Sequence, residues 1–139
     1  ILSKLFERVW AVESNKSFLE SAKKYNEKNT NIRYIRENVY AGRKWKRFPI
    51  ADVVFIDCNH DYKSVTSDLE QSIEHLNDGG FIVMDDYGLF WQLKDAVHDF
   101  IKKMDGQITI HKYIGEPEGS TARKGKVMND WEGIILKYK

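Results

Sequence analysis

Two short apolar runs, each broken off by carboxylates, constrain the fold of this chain most. The first is Val53-Val54-Phe55-Ile56, followed by Asp57-Cys58-Asn59-His60-Asp61-Tyr62. The second is Phe81-Ile82-Val83-Met84, opened by Gly79-Gly80 and followed by Asp85-Asp86-Tyr87. A parallel strand covered on both faces reads as a continuous apolar run. Open α/β sheets take their ligands just beyond the carboxyl ends of such strands. Two neighbouring strands of this kind gather Asp57, Asp85 and Asp86 at one sheet edge. Three acids held together repel one another unless a cation or a proton sits between them.

The rest of the chain predicts alternating strands and helices. Residues 1–7 read as the tail of a helix, and Val9 to Val12 as a strand ending at Glu13. Asn15 or Ser17 can cap the next helix, in which Phe18, Ala22 and Tyr25 recur at helical spacing. Ile32 to Ile35 is a strand, and residues 40–50 form a polar loop. Val65, Leu69, Ile73 and Leu76 share one helical face, and Asn77-Asp78-Gly79-Gly80 stops that helix. Leu93 to Met104 is a strongly amphipathic helix closed near Gly106. Ile108 to Tyr113 and Trp131 to Tyr138 are strands, with a turn-rich, charged loop at 115–126 that reads as mobile, either a lid over the site or disordered without function. This order gives an α/β, mainly parallel sheet with helices on both faces. The last two strands have no helix between them and are expected to form an antiparallel hairpin at one edge.

The bulk numbers set the class. A chain of 139 residues with 42% apolar content supports one domain. With 22 basic and 21 acidic residues, the net charge of +1 gives no overall field for nucleic acid. The basic clusters at 43–47 and 123–126 read as solvated loop charge. The one cysteine, Cys58, excludes an intrachain disulfide framework and fits a reducing, cytoplasmic setting. No apolar run is long enough to span a membrane, and no signal peptide is visible.

Ile56-Asp57, His60-Asp61-Tyr62, Asp68-Leu69, Leu76 to Gly80 and Asp85-Asp86-Tyr87, with the closing strand at 131–138, carry a resemblance. The chain resembles the later two-thirds of the class I S-adenosylmethionine-dependent methyltransferases. Within them it is similar to the small-molecule O-methyltransferases related to macrocin O-methyltransferase. The resemblance covers nearly the whole chain and is most specific over 53–100. It implies a Rossmann-like fold, S-adenosylmethionine as donor, and a small-molecule hydroxyl acceptor such as a sugar or glycoside. It places Glu13 where the family keeps an acid for the ribose hydroxyls. The metal-using members imply Asp57, Asp85 and Asp86 as ligands of Mg2+. The family's first strand and glycine-rich loop have no counterpart here. In the family's sheet that strand lies between the ones at 9–13 and 52–57. The expectation is therefore a domain truncated at its N-terminus, since the sheet would otherwise leave strand edges unpaired.

Methyl transfer to an alcohol needs a deprotonated oxygen, and a divalent cation can lower the hydroxyl pKa and hold the oxygen in place. Asp57, Asp85 and Asp86 suit that role; alternatively Asp57 anchors the amino group of the donor and Asp85 or Asp86 caps the following loop. His60 can serve as general base, hydrogen-bond a substrate hydroxyl, or be held structurally by its loop. A carboxylate at Glu13 can accept both ribose hydroxyls, and Asn38 is placed beside the adenine. Cys58 reads as a small buried residue under the donor rather than a nucleophile. Tyr62, Tyr87, Phe90 and Trp91 crowd the same edge, as substrate walls (Tyr87 and Trp91 foremost) or as core. His75, His98 and His111 read as structural or surface. A nicotinamide-dependent dehydrogenase and a non-catalytic binding module are the alternatives from other classes. Homo-oligomerisation is left open by the sequence.

Overall fold

A computed structural model describes residues 2–41, 45, 48–115, 122–123, 126–127 and 131–139. The chain divides into two compact units, residues 1–48 and 49–139.

The first unit contains α1 (Leu2–Leu5), β1 (Val9–Glu13), α2 (Lys16–Tyr25) and β2 (Ile32–Arg36). β1 and β2 pair in parallel, with Glu13 opposite Arg36. Asn15 caps α2: its Oδ1 accepts the N–H groups of Ser17 at 2.9 Å and Phe18 at 3.4 Å. Leu19 is the buried residue of this helix, while Phe18 and Tyr25 are exposed. Helical spacing therefore predicts the helix but not which of two adjoining stripes turns inward.

The second unit contains β3 (Ala51–Ile56), α3 (Tyr62–Glu74), β4 (Leu76–Met84), α4 (Trp91–Lys103), β5 (Ile108–Ile114), β6 (Ala122–Arg123), β7 (Lys126–Val127) and β8 (Gly133–Tyr138). Its main sheet has the order β3-β4-β8-β5. β3 and β4 are parallel, and β8 runs antiparallel to both β4 and β5. Only β8 therefore opposes the common strand direction. The last two long strands pair antiparallel at one edge of the sheet, as expected, with β8 on the inner side beside β4 and β5 outermost. Ile134 and Leu136 of β8 are fully buried, whereas the polar run of β5 (His111, Lys112) suits an exposed edge.

The core lies on one face of the sheet. Ile56, Ile82, Met84, Ile108, Ile134 and Leu136 meet Val65 and Leu69 of α3 and Leu93, Ala96, Val97 and Phe100 of α4. Both helices thus share that face, while Phe55, Phe81 and Val83 alternate to the other. The helix expected to run to Leu76 ends at Glu74, with His75 as its C-cap. The Ala51 N–H donates to the His75 carbonyl at 2.9 Å, so the chain enters the sheet at once and Leu76 is a strand residue. Of the expected lid at 115–126, only Gly115 and the short β6–β7 pair are described; the remainder lies outside the described residues, as does most of the 43–47 cluster.

Tyr62, at the first turn of α3, donates to Asp99 Oδ2 of α4 at 2.8 Å. This bond and the Asp99 charge raise the Tyr62 phenol above its ordinary value of 10.0. The folded chain thus holds that proton more tightly than the unfolded one. The resulting stabilisation is complete below the ordinary tyrosine pKa and is lost as pH rises through the raised value. Tyr62→Phe is expected to melt slightly earlier than the parent at neutral pH, with the difference shrinking in strongly alkaline buffer. Thermal melts across that range check it.

Candidate active site

The site is built on the carboxyl ends of β3 and β4. Their register sets Ile56 opposite Met84, and the Asp85 N–H donates to the Ile56 carbonyl at 3.2 Å. Asp57 and Asp85 therefore leave adjacent strand tips. The next step decides the geometry. Asp86 has φ of 56°, in the left-handed region that non-glycine residues seldom adopt. Its N–H donates to Asp85 Oδ1 at 2.9 Å, so the Asp85 carboxylate folds back onto its own turn. Asp86 instead reaches His60: Oδ2 and Nε2 are 3.6 Å apart.

Asp57, His60 and Asp86 each offer a ligand atom, and these atoms lie within 4.8 Å of one another. The convergent trio is therefore not Asp57, Asp85 and Asp86, as the sequence suggests. Asp85 is outside this group, and its Oδ1 accepts the Asp86 N–H. His60 takes the third place.

His60 sits in the loop between Ile56 and α3, its side chain 22% exposed. Its ring stacks on Phe90 with centroids 4.5 Å apart and planes 5° from parallel. Nε2 is buried and has no hydrogen-bond partner among the described residues. The 3.6 Å approach of Asp86 is an ion-pair distance, too long for a hydrogen bond. Beside it, Asp61 caps α3 by accepting the Ser64 N–H at 3.0 Å. Hydrogen bonds from Ser64 hold the Asp61 carboxyl below its ordinary value.

The other expected residues fall in different places. Tyr87 is 1% exposed, and its hydroxyl lies 2.8 Å from His98 Nε2. Its N–H donates to the Glu132 carbonyl and that of Gly88 to Trp131, both at 2.9 Å. Tyr87 thus locks the turn that follows Asp86 rather than facing a substrate, because the turn carries its ring down among α4 and β5. His98 earns its place through that bond, which links a turn to a helix and leaves no local pattern in the sequence. Trp91 is 71% exposed at the start of α4. Cys58, expected buried, is exposed. In the first unit, Glu13 ends β1, and its Oε1 accepts the Asn15 N–H at 2.6 Å. Asn38 lies just beyond β2 at the same end of that pair, and its Oδ1 accepts the Tyr40 N–H at 3.0 Å. A cavity of about 440 Å³ opens beside β5 and β8, walled by Tyr113 and Trp131, whose rings stack 5.4 Å apart. It does not include the Asp57–His60–Asp86 cluster.

Residues 3–87 match the family described as a methyltransferase domain. An uncharacterized protein of Acanthamoeba polyphaga mimivirus is 34% identical over 97 residues, covering 65% of this chain and 42% of that protein. The chain thus spans less than half of that relative. A Streptococcus mutans protein described as a methyltransferase, solved with S-adenosylhomocysteine, superposes with a TM-score of 0.70 at 18% identity, over 99% of this chain and 80% of that one. A methyltransferase from Pyrococcus furiosus gives 0.67 at 21% identity, over 95% and 62%. An O-methyltransferase from Bacillus cereus, with S-adenosylhomocysteine, gives 0.61 at 13%, over 95% and 63%. At these identities the likeness shows a shared Rossmann-like α/β fold.

Proposed function

Since this chain belongs to the methyltransferase-domain family, we infer that it moves a methyl group from S-adenosylmethionine to a hydroxyl of a small molecule, such as a sugar or glycoside. Membership favours methyl transfer over nicotinamide-dependent hydride transfer. The family match runs through both compact units, which supports reading them as parts of one domain.

The observation that carries the acceptor chemistry is the convergence of Asp57, His60 and Asp86 at two adjacent strand tips, with a buried imidazole nitrogen that makes no hydrogen bond among the described residues. When bound, the donor supplies an electrophilic methyl group on a sulfonium. Everything else falls to the chain. His60 Nε2 takes the hydroxyl proton as the oxygen becomes a nucleophile. Asp86, 3.6 Å away, stabilises the imidazolium that results. The proton then leaves to solvent through the exposed side of the cluster. For the donor, Glu13 is read as the ribose acid. Its hydrogen bonds to Ser14 and Asn15 both fall on Oε1, which leaves Oε2 for a ligand hydroxyl. Asn38, at the same strand end, is read beside the adenine.

A second reading adds a divalent cation. Mg2+ takes oxygen ligands, keeps several waters, and is commonly held by one or two carboxylates. Asp57 and Asp86, which converge with His60, fit such an ion; Asp85 is outside that group. The cation would lower the acceptor pKa beside His60.

A methyl-labelled donor, offered with a panel of hydroxyl acceptors and with or without chelator, tests both readings on the longest form of the protein. Label in an ether product supports methyl transfer to oxygen, and label in no acceptor overturns it. Turnover lost in chelator and restored by Mg2+ supports the cation, whereas full turnover removes it. Calorimetry with S-adenosylhomocysteine tests the donor site. Glu13→Ala is expected to weaken binding by about tenfold or more, the loss of one charge-assisted hydrogen bond. Unaltered affinity removes Glu13 from the site.

A further inference from the structure

We propose that Phe90 is the positioning residue of this centre: its ring sets the plane of the His60 imidazole and so aims Nε2 between the two carboxylates. The catalytic meaning of this rests on the function proposed above, while the positioning itself rests on geometry alone.

Three observations converge on Phe90. First, the two rings are nearly parallel, 5° apart with centroids at 4.5 Å, a stacked contact that specifies a plane and not merely a volume. Second, His60 stands in a loop outside helix and strand, and Nε2 has no hydrogen bond among the described residues. The Asp86 contact at 3.6 Å is too long to orient the ring by hydrogen bonding. Among the described residues the stack on Phe90 is the contact that defines the ring plane. Third, Phe90 occupies the N-cap of α4, where it makes no side-chain cap bond. Serine, threonine, aspartate or asparagine at that position would satisfy a helix N–H, a contribution of about 1 kcal/mol. A phenylalanine forgoes this, and such local departures concentrate at functional sites.

Phe90 is also well placed to transmit rigidity. It packs against the core cluster, which includes Leu93 and Val97 of the helix it begins. The imidazole therefore leans on the core through one aromatic face. An aliphatic residue could fill the same space but would not fix a plane. A ring free to tilt would move Nε2 off line, and displacements on the order of 1 Å can cost about 10²-fold in rate.

The test compares Phe90→Leu with Phe90→Tyr. In the parent, the His60 ring protons are expected upfield of ordinary histidine positions in 1H–13C NMR spectra, shifted by the facing ring. Phe90→Leu should abolish that shift and lower kcat by about 10- to 100-fold, with KM for the donor and S-adenosylhomocysteine affinity unchanged. Phe90→Tyr should restore the shift and most of kcat. The inference is overturned if the His60 signals are the same in Phe90→Leu as in the parent. It is equally overturned if a folded Phe90→Tyr loses as much kcat as Phe90→Leu. The spectra need no turnover: a shift that follows the ring in protein that methylates nothing would retire the function and leave the positioning standing.

Discussion

Replacing His60 with glutamine is expected to lower methyl transfer by about 10²- to 10⁴-fold, the usual contribution of a positioned general base, with donor binding left intact. Glutamine is close in size and can still hydrogen-bond a hydroxyl. It cannot take the proton. The acceptor oxygen would then have to attack as a neutral alcohol, a far weaker nucleophile. Three features of the site make the loss large. Among the described residues no hydrogen bond occupies the buried Nε2, which leaves it to take the acceptor's proton. Asp86 stands 3.6 Å away to stabilise the imidazolium. The Phe90 stack keeps the ring from swinging to solvent. Turnover with labelled donor, alongside calorimetry with S-adenosylhomocysteine, measures both halves of the expectation. Added imidazole should return part of the activity to His60→Gln, because it replaces the missing base in the space left behind. A variant within a few-fold of the parent, and indifferent to imidazole, would show that the proton leaves by another route.

Gly133→Ala should be the most damaging change outside the cluster. A Cβ at this position would stand 2.7 Å from the Met84 carbonyl oxygen, closer than real Cβ contacts come. The obstructing atom is backbone in β4, not a pliable side chain. β8 cannot move aside cheaply, because it is paired on both edges, with β4 and with β5. Overpacking of this kind costs about 1–3 kcal/mol. The position couples that cost to function. Met84 is the last residue of β4 before Asp85 and Asp86. The carbonyls just before Gly133, on Trp131 and Glu132, accept the N–H groups of Gly88 and Tyr87. Pushing β8 outward therefore displaces the turn that aims Asp86 at His60. Urea titration should show the loss of stability, and activity at temperatures where the variant is fully folded should still fall below the parent. An alanine variant as stable and as active as the parent would mean that the β4–β8 spacing relaxes without cost.

Much of this architecture was legible in the residues. The strand at Ala51–Ile56, the helix from Tyr62, the strand ending at Met84 and the amphipathic helix from Trp91 follow from apolar period and turn chemistry, which are local properties. A cap at Asn15 or Ser17 was legible too, and the structure uses Asn15. Contacts that cross between elements were not. The stripe of α2 that turns inward, the strand that takes the inner place beside β4, and the bond from Tyr87 to His98 each depend on a partner far along the chain. Trp91 and Tyr87 looked alike as aromatic neighbours of an acidic turn. One ended exposed and the other buried, because a single turn separates their directions.

The amino-acid order alone determined that acids would gather where parallel strands end, since buried strands must be apolar and their charges can appear only past the tips. Which of those acids work together was left to the tertiary structure. Asp85 is engaged by the N–H of its own neighbour, while His60, stacked on Phe90, joins Asp57 and Asp86. Side-chain direction beyond the end of a strand is set by packing against distant residues, and no spacing in the sequence encodes it.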